Sequence, residues 1–85
     1  MADIRGKKLM GKVVVSEEAG KKFGTVGDVS FITDSGELMN IVLTEPTKHV
    51  SDLQVEMDDQ GRHLIPFSAI NSVGDFVIVS ENDII

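Results

Sequence analysis

From Phe23 to Glu45, apolar and polar side chains alternate with a period of two, interrupted once at Asp34-Ser35-Gly36. That period sends successive side chains to opposite faces of a pleated strand, so it predicts two strands joined by a turn. Asp opens such a turn by bonding its own backbone, and Gly accepts positive φ. On the first strand, Phe23, Thr25, Gly27, Val29 and Phe31 share one face; on the second, Met39, Ile41 and Leu43 do. Gly24 and Gly27 lie inside an otherwise strong strand, which predicts sharp coiling or a bulge.

The remaining segments repeat the pattern at shorter length. Val13-Val14-Val15 is a β-branched run ending at Ser16, followed by a turn at Glu17-Glu18-Ala19-Gly20. Pro46 stops the hairpin, Thr47 to Asp52 reads as a loop, and Leu53, Val55 and Met57 alternate as a short strand with an acidic outer face. Asp59-Gln60-Gly61 turns into a strand from Arg62 to Phe67, where Pro66 requires a strand end or an edge. Ser68 to Asn71 fits one helical turn capped by Ser68, and Phe76 to Val79 a final buried strand. Ile84 and Ile85 leave two exposed apolar residues at the end. No stretch holds helical periodicity long enough for a full helix. The prediction is all-β: a small barrel of five or six strands with one short helical turn near 68–71.

Size dictates closure. Eighty-five residues form one domain, with a barrel over about 9–80, a lead-in at 1–8 and a tail at 81–85. Strands this short give a flat sheet little interior, whereas a rolled sheet removes its edges. The expected core is Val13, Val15, Val29, Phe31, Ile41, Leu43, Leu64, Ile65, Phe67, Ile70, Val77 and Val79. It is thin, and pairing with a second copy would enlarge the apolar surface hidden from water.

The net charge is −6, unevenly spread. Residues 1–45 carry six basic and seven acidic side chains (−1); residues 46–85 carry two and seven (−5). Either this is a solvated surface that keeps the protein dispersed, or a dipole that steers a basic partner. The acidity opposes binding through phosphate neutralisation, and no Tyr or Trp offers a stacking platform, so no nucleic-acid partner is expected. With no cysteine, disulfides and thiolate sites are excluded. No apolar run approaches the ~18–20 residues of a membrane span, nor does the start read as a secretory signal, so no direct membrane insertion and a cytoplasmic location are expected.

Chemistry-bearing residues do not converge. His49 and His63 are fourteen apart and fit no metal-ligand spacing; both read as surface histidines. Asp58-Asp59 reads as a solvated bend, the serines lack a nucleophile elbow, and Gly24-Thr25-Val26-Gly27 sits within a strand rather than before a helix. No catalytic residue, cofactor or metal is expected.

Four pieces, in order, resemble the PRC-barrel family. Leu9-Met10-Gly11-Lys12-Val13-Val14 is similar to its opening "L-x-G-K-x-V". Gly20 to Val29 resembles "G-x-x-hydrophobic-G-x-V-x-D-V", and Asp34-Ser35-Gly36-Glu37-Leu38 its hairpin turn. Ile65-Pro66-Phe67, Ile70 and Val73 to Val79 resemble its closing element, with Phe67 where the family often has Trp. The stretch from Glu45 to Arg62 is longer and more acidic than a minimal linker. The family's pattern is structural, implying such roles for Gly24, Gly27, Gly36, Pro66 and Gly74. The resemblance implies a non-enzymatic interaction module. At this chain length it is nearest the free-standing archaeal type, some members of which act in cell division at the FtsZ ring through SepF, as homodimers or with a paralogue. An accessory role in ribosome maturation or RNA processing is the alternative, though those relatives carry a companion domain; a stress or photosynthetic accessory is a third. Expected partner or dimer contacts are Met10, Leu53, Val55, Met57, Ile84 and Ile85.

Overall fold

A computed structural model describes residues 9–31, 38–53 and 55–84. Six strands follow in chain order: β1 (Val13–Ser16), β2 (Lys22–Phe31), β3 (Leu38–Thr44), β4 (Leu64–Pro66), β5 (Ile70–Val73) and β6 (Phe76–Val79). Among the described residues they are accompanied by a helix, α1 (Lys48–Asp52), and by two 3-10 turns, Phe67–Ala69 and Glu81–Asp83. All strands join one sheet in the order β4-β3-β2-β1-β6-β5, antiparallel except for the parallel pair β1–β6. The all-β prediction therefore holds. Gly36 and its hairpin turn fall outside the described residues.

Connectivity makes the sheet curl. Laid flat, its five inter-strand spacings would hold β4 and β5 about 24 Å apart. Yet Pro66 at the end of β4 and Ile70 at the start of β5 are four residues apart, a reach of at most about 15 Å. The two edges must therefore swing toward each other around a shared interior. No ladder joins β4 to β5 among the described residues, so the barrel is rolled but not hydrogen-bonded shut.

Two of the sheet's four register shifts reset the inward faces of β2. Between β2 and β3, Val26 pairs with Leu43 and Asp28 with Val42, leaving Gly27 as the extra residue. Between β1 and β2 the register slips at Val14/Val15, passing over Phe23. Phe23 and Val26, three residues apart, are consequently both buried, which a strict period of two forbids. The glycines permit a close approach. A Cβ on Gly27 would lie 2.8 Å from Thr44 Cβ, and one on Gly24, at φ +156°, 3.0 Å from the Thr44 carbonyl oxygen.

The core comprises Leu9, Val14, Phe23, Val26, Ile41, Leu43, Val50, Val55, Ile65, Ala69, Val77 and Val79. Several expectations need correction. On β1 it is Val14 and Ser16 that point inward, with Val13 and Val15 half-buried outside; a run of three valines carries no phase, and the ladder to β6 sets it. Phe76 is exposed for the same reason. Leu64, Phe67, Ile70 and Val29 are half-buried rather than central, and the Phe31 side chain lies outside the described residues.

Thr47 to Asp52 is not a loop. Thr47 caps α1, accepting from the Val50 N–H at 3.5 Å and donating to the Lys22 carbonyl at 2.6 Å, and Val50 enters the core. Tertiary burial of one valine outweighs the weak helical signal of five residues. The expected strand over Leu53–Met57 reduces to a single bridge between Met57 and His63. Finally, the turn before β5 spans Phe67–Ala69 with Pro66 at its start and no side-chain cap, and it stops short of Asn71 because Ile70 already pairs with Val79 in the sheet. No helix among the described residues is long and apolar enough to cross a membrane.

Candidate interaction surfaces

Three features stand out, each produced by how the sheet brings distant residues together. The first is an apolar strip. Because β1 and β6 run parallel with Val13 opposite Phe76 and Val15 opposite Ile78, these four side chains share the outer face while Val14, Val77 and Val79 fill the inner one. Phe76 leaves 52% of its surface exposed. Met10, in the turn just before β1, is also exposed.

The second is a polar joint around Ser16 and Glu81. The Ser16 hydroxyl donates to Glu81 Oε2 at 2.5 Å, and His49 Nε2 meets the same oxygen at 2.8 Å. Glu18 Oε1 accepts the Glu81 N–H and its Oε2 the Ser80 hydroxyl, both at 2.8 Å; Glu17 accepts from Asn71. The His49 ring also packs on Phe23, centroids 5.6 Å apart. The His49 and Ser16 hydrogen bonds hold Glu81 below the usual carboxylate range, against some desolvation and the neighbouring Glu18 charge. Glu18 is lowered chiefly by the Glu81 backbone N–H, then by Ser80.

Ser16, Glu81 and His49 are the residue types of a hydrolytic triad, but the roles are misassigned. Ser16 donates to the carboxylate rather than to the imidazole, so no base faces it, and it is only 2% exposed. The arrangement ties β1, α1 and the Glu81–Asp83 turn together.

The third is a depression of about 440 Å³ between the Gly27 bulge and the turn at Asp58–Arg62, walled in part by Val42, Glu45, Pro46 and His63. Glu45 adopts φ +52°, the only positive φ at a non-glycine residue among those described. Asp58 organises the turn, accepting the Gln60 and Arg62 backbone N–H groups at 2.9 Å and the Arg62 Nε at 2.7 Å. The Arg62 backbone N–H is the main reason its carboxyl lies below its ordinary range. His63 is not a surface residue: it is 8% exposed, and its buried Nδ1 has no hydrogen-bond partner among the described residues.

The expected contact residues disperse. Met10 and Met57 are exposed; Leu53 and Ile84 pack against the core; Val55 is part of it; Ile85 lies outside the described residues. Pro66 ends the edge strand β4, and the Gly74 carbonyl at the β5–β6 turn accepts from Lys12 Nζ. Sequence reasoning missed Phe76 and the outward valines, since four consecutive apolar residues do not say which two face out. It missed the His49–Glu81–Ser16 joint because its members are 32 and 65 positions apart.

Compared with known families, the chain matches the PRC-barrel domain over residues 1–83. No curated protein matches it.

Proposed function

Since the chain belongs to the PRC-barrel family, we propose that it is a non-enzymatic adaptor that pairs with a second barrel and holds a protein partner. PRC-barrel domains are general protein-interaction modules and are generally non-catalytic. The observation that carries the dimer is the strip of Val13, Val15, Phe76 and Ile78, with a half-exposed phenylalanine on an outer sheet face. A large aromatic left in water is the kind of anchor around which interfaces form. Met10 and Met57 are the exposed members of the contact set and extend the surface available to a partner. Sedimentation of the purified chain tests the pairing: a dimer is expected, and a monomer at high concentration refutes it.

The finer setting rests on resemblance to archaeal division-associated members. There the adaptor works in the cytoplasm at the division site, reaching the FtsZ ring through SepF, as a homodimer or with a paralogue. Affinity purification of the tagged chain from its native cell tests this. Recovery of SepF-like or FtsZ-like proteins supports it; recovery of ribosomal proteins instead moves the adaptor to ribosome maturation.

A further inference from the structure

We propose that the outer edge of β5 receives an extended segment of the protein partner, apolar at its centre and basic on either side, which adds to the sheet as a further strand; this rests on the adaptor reading above. The first support is which backbone groups point outward. In an antiparallel pair, residues alternate between exchanging two hydrogen bonds with the facing strand and exchanging none. The Ser80 N–H bonds to the Ala69 carbonyl at 2.8 Å, and the Gly74 N–H to the Phe76 carbonyl at 2.9 Å. Ile70 opposite Val79 and Val73 opposite Val77 are therefore pairs that exchange none, and both residues turn their own N–H and C=O away from β6. The Phe67 carbonyl takes the Ile70 N–H. That leaves the Ile70 carbonyl and both backbone groups of Val73 without a partner among the described residues. Main-chain groups of this kind are what an extended peptide pairs with when it joins an exposed edge.

The second support is the contrast with the other edge. The Leu43 N–H bonds to the His63 carbonyl at 3.0 Å, so on β4 it is Leu64 and Pro66 that face outward. The Leu64 N–H is taken by the Glu56 carbonyl at 2.8 Å, and Pro66 has no donor to give. Covering and proline are two ordinary guards of a sheet edge. The β5 strand, Ile70-Asn71-Ser72-Val73, carries neither a charge nor a proline, and Asn71 and Ser72 are exposed. Its irregularity is the bulge at Asn71, which sets the outward groups three residues apart rather than two. A regular guest strand thus pairs fully at Val73 and reaches no further than the Ile70 carbonyl.

The third support fixes the chemistry of the guest. Val73 lies on the inner face, half-buried against the core, so the residue paired with it also faces inward and is apolar. The guest's flanking residues face outward, where a carboxylate stands at each end of β5: Glu17, bonded to Asn71, and Asp75, just past Gly74. Among the described residues neither has a cation within ion-pair distance, and the Lys12 ammonium is given to the Gly74 carbonyl. Basic flanks complement that charge. A second β5 is the poorer guest: pairing Val73 with its own copy sets Asp75 opposite the copy's Asn71 and so beside Glu17, carboxylate against carboxylate.

The test is a nuclear magnetic resonance titration of the isotopically labelled full chain with the peptide acetyl-Thr-Lys-Val-Lys-Thr-amide. Saturable shifts are expected at the Ile70, Val73 and Gly74 amides, with slower hydrogen exchange at Val73 and cross-strand nuclear Overhauser effects between Val73 and the peptide valine. Two controls lose the saturable shifts: the peptide N-methylated at valine, which cannot donate to the Val73 carbonyl, and the peptide with Glu in place of Lys. Asp75→Asn weakens binding by about twofold to fivefold, the size of one exposed ion pair, whereas Glu45→Gln, beyond the end of β3, leaves it unchanged. Absence of saturation overturns the proposal. So does undiminished binding of either control, and so do shifts centred on β4 or on the strip of Val13 and Phe76. If the chain dimerises and captures its partner while the titration fails, this edge falls and the adaptor reading stands.

Discussion

Gly27→Ala tests the claim that the β2–β3 bulge exists to let two backbones approach. The added Cβ would lie 2.8 Å from Thr44 Cβ and 3.1 Å from Thr44 Cγ2. Apolar carbons sit at about 3.5–4.0 Å, so the strands must part by roughly 0.7 Å or more. Overpacking of this kind costs about 1–3 kcal/mol. Gly27 is not in the left-handed region, so alanine also restricts the unfolded chain, which returns about 0.4–1 kcal/mol. The net expectation is a loss of about 1–2 kcal/mol, or roughly 5–10 °C in Tm for a domain of this size.

The same geometry predicts a change of sign. Thr44→Ala leaves the offending Cβ in place and rescues little. Thr44→Gly removes it, so in that background Gly27→Ala should stabilise, by about 0.4–1 kcal/mol. Urea denaturation of the four members of the cycle gives these values directly, and contact between the two sites appears as a coupling energy. If Gly27→Ala is neutral in the parent, or destabilises equally beside Gly at 44, the close-approach argument is wrong.

Other outcomes follow from the same structure. Glu81 and Glu18 titrate below the ordinary carboxylate range in the folded chain, so the stability they add is present above about pH 4.5 and is lost as pH falls toward the lowered values. Glu81→Gln should therefore flatten the acid limb of a stability–pH curve, and an unchanged limb refutes the joint. Val50→Ala should cost about 2 kcal/mol by leaving a void under α1, whereas His63→Phe, which removes the unpartnered nitrogen and keeps ring volume, should cost less than about 1 kcal/mol; calorimetry ranks the two. Phe76→Glu should leave the melting of the monomer within about 0.5 kcal/mol of the parent, as an exposed position allows, yet shift sedimentation toward monomer.

Reading the chain worked where local chemistry decides the outcome. The hairpin strands, the turn at Asp59-Gln60-Gly61, and Pro66 on an edge strand all follow from backbone preferences of single residues. The two strand glycines were legible as a bulge because only a residue without Cβ tolerates that approach. Phase was not legible. Val13 to Val15 and Phe76 to Val79 are uniformly apolar, and either alternation would satisfy their local preferences. Helix α1 escaped notice because a five-residue helix is supported by Val50 reaching the core and Thr47 bonding to β2, neither of which is visible along the chain.

Composition, charge and the period of two thus determined an acidic, all-β domain with its bulges and turns. The ladders and the rolling of the sheet decided which valines face out, buried His63, and joined Ser16, His49 and Glu81. The physical reason is that strand phase and polar pairing are settled by the ladder partner and the shared interior, both contributed by residues far away in the chain. The surfaces by which such a domain meets another protein are therefore products of its rolling, while the roll itself is written in Gly24, Gly27 and the short link from Pro66 to Ile70.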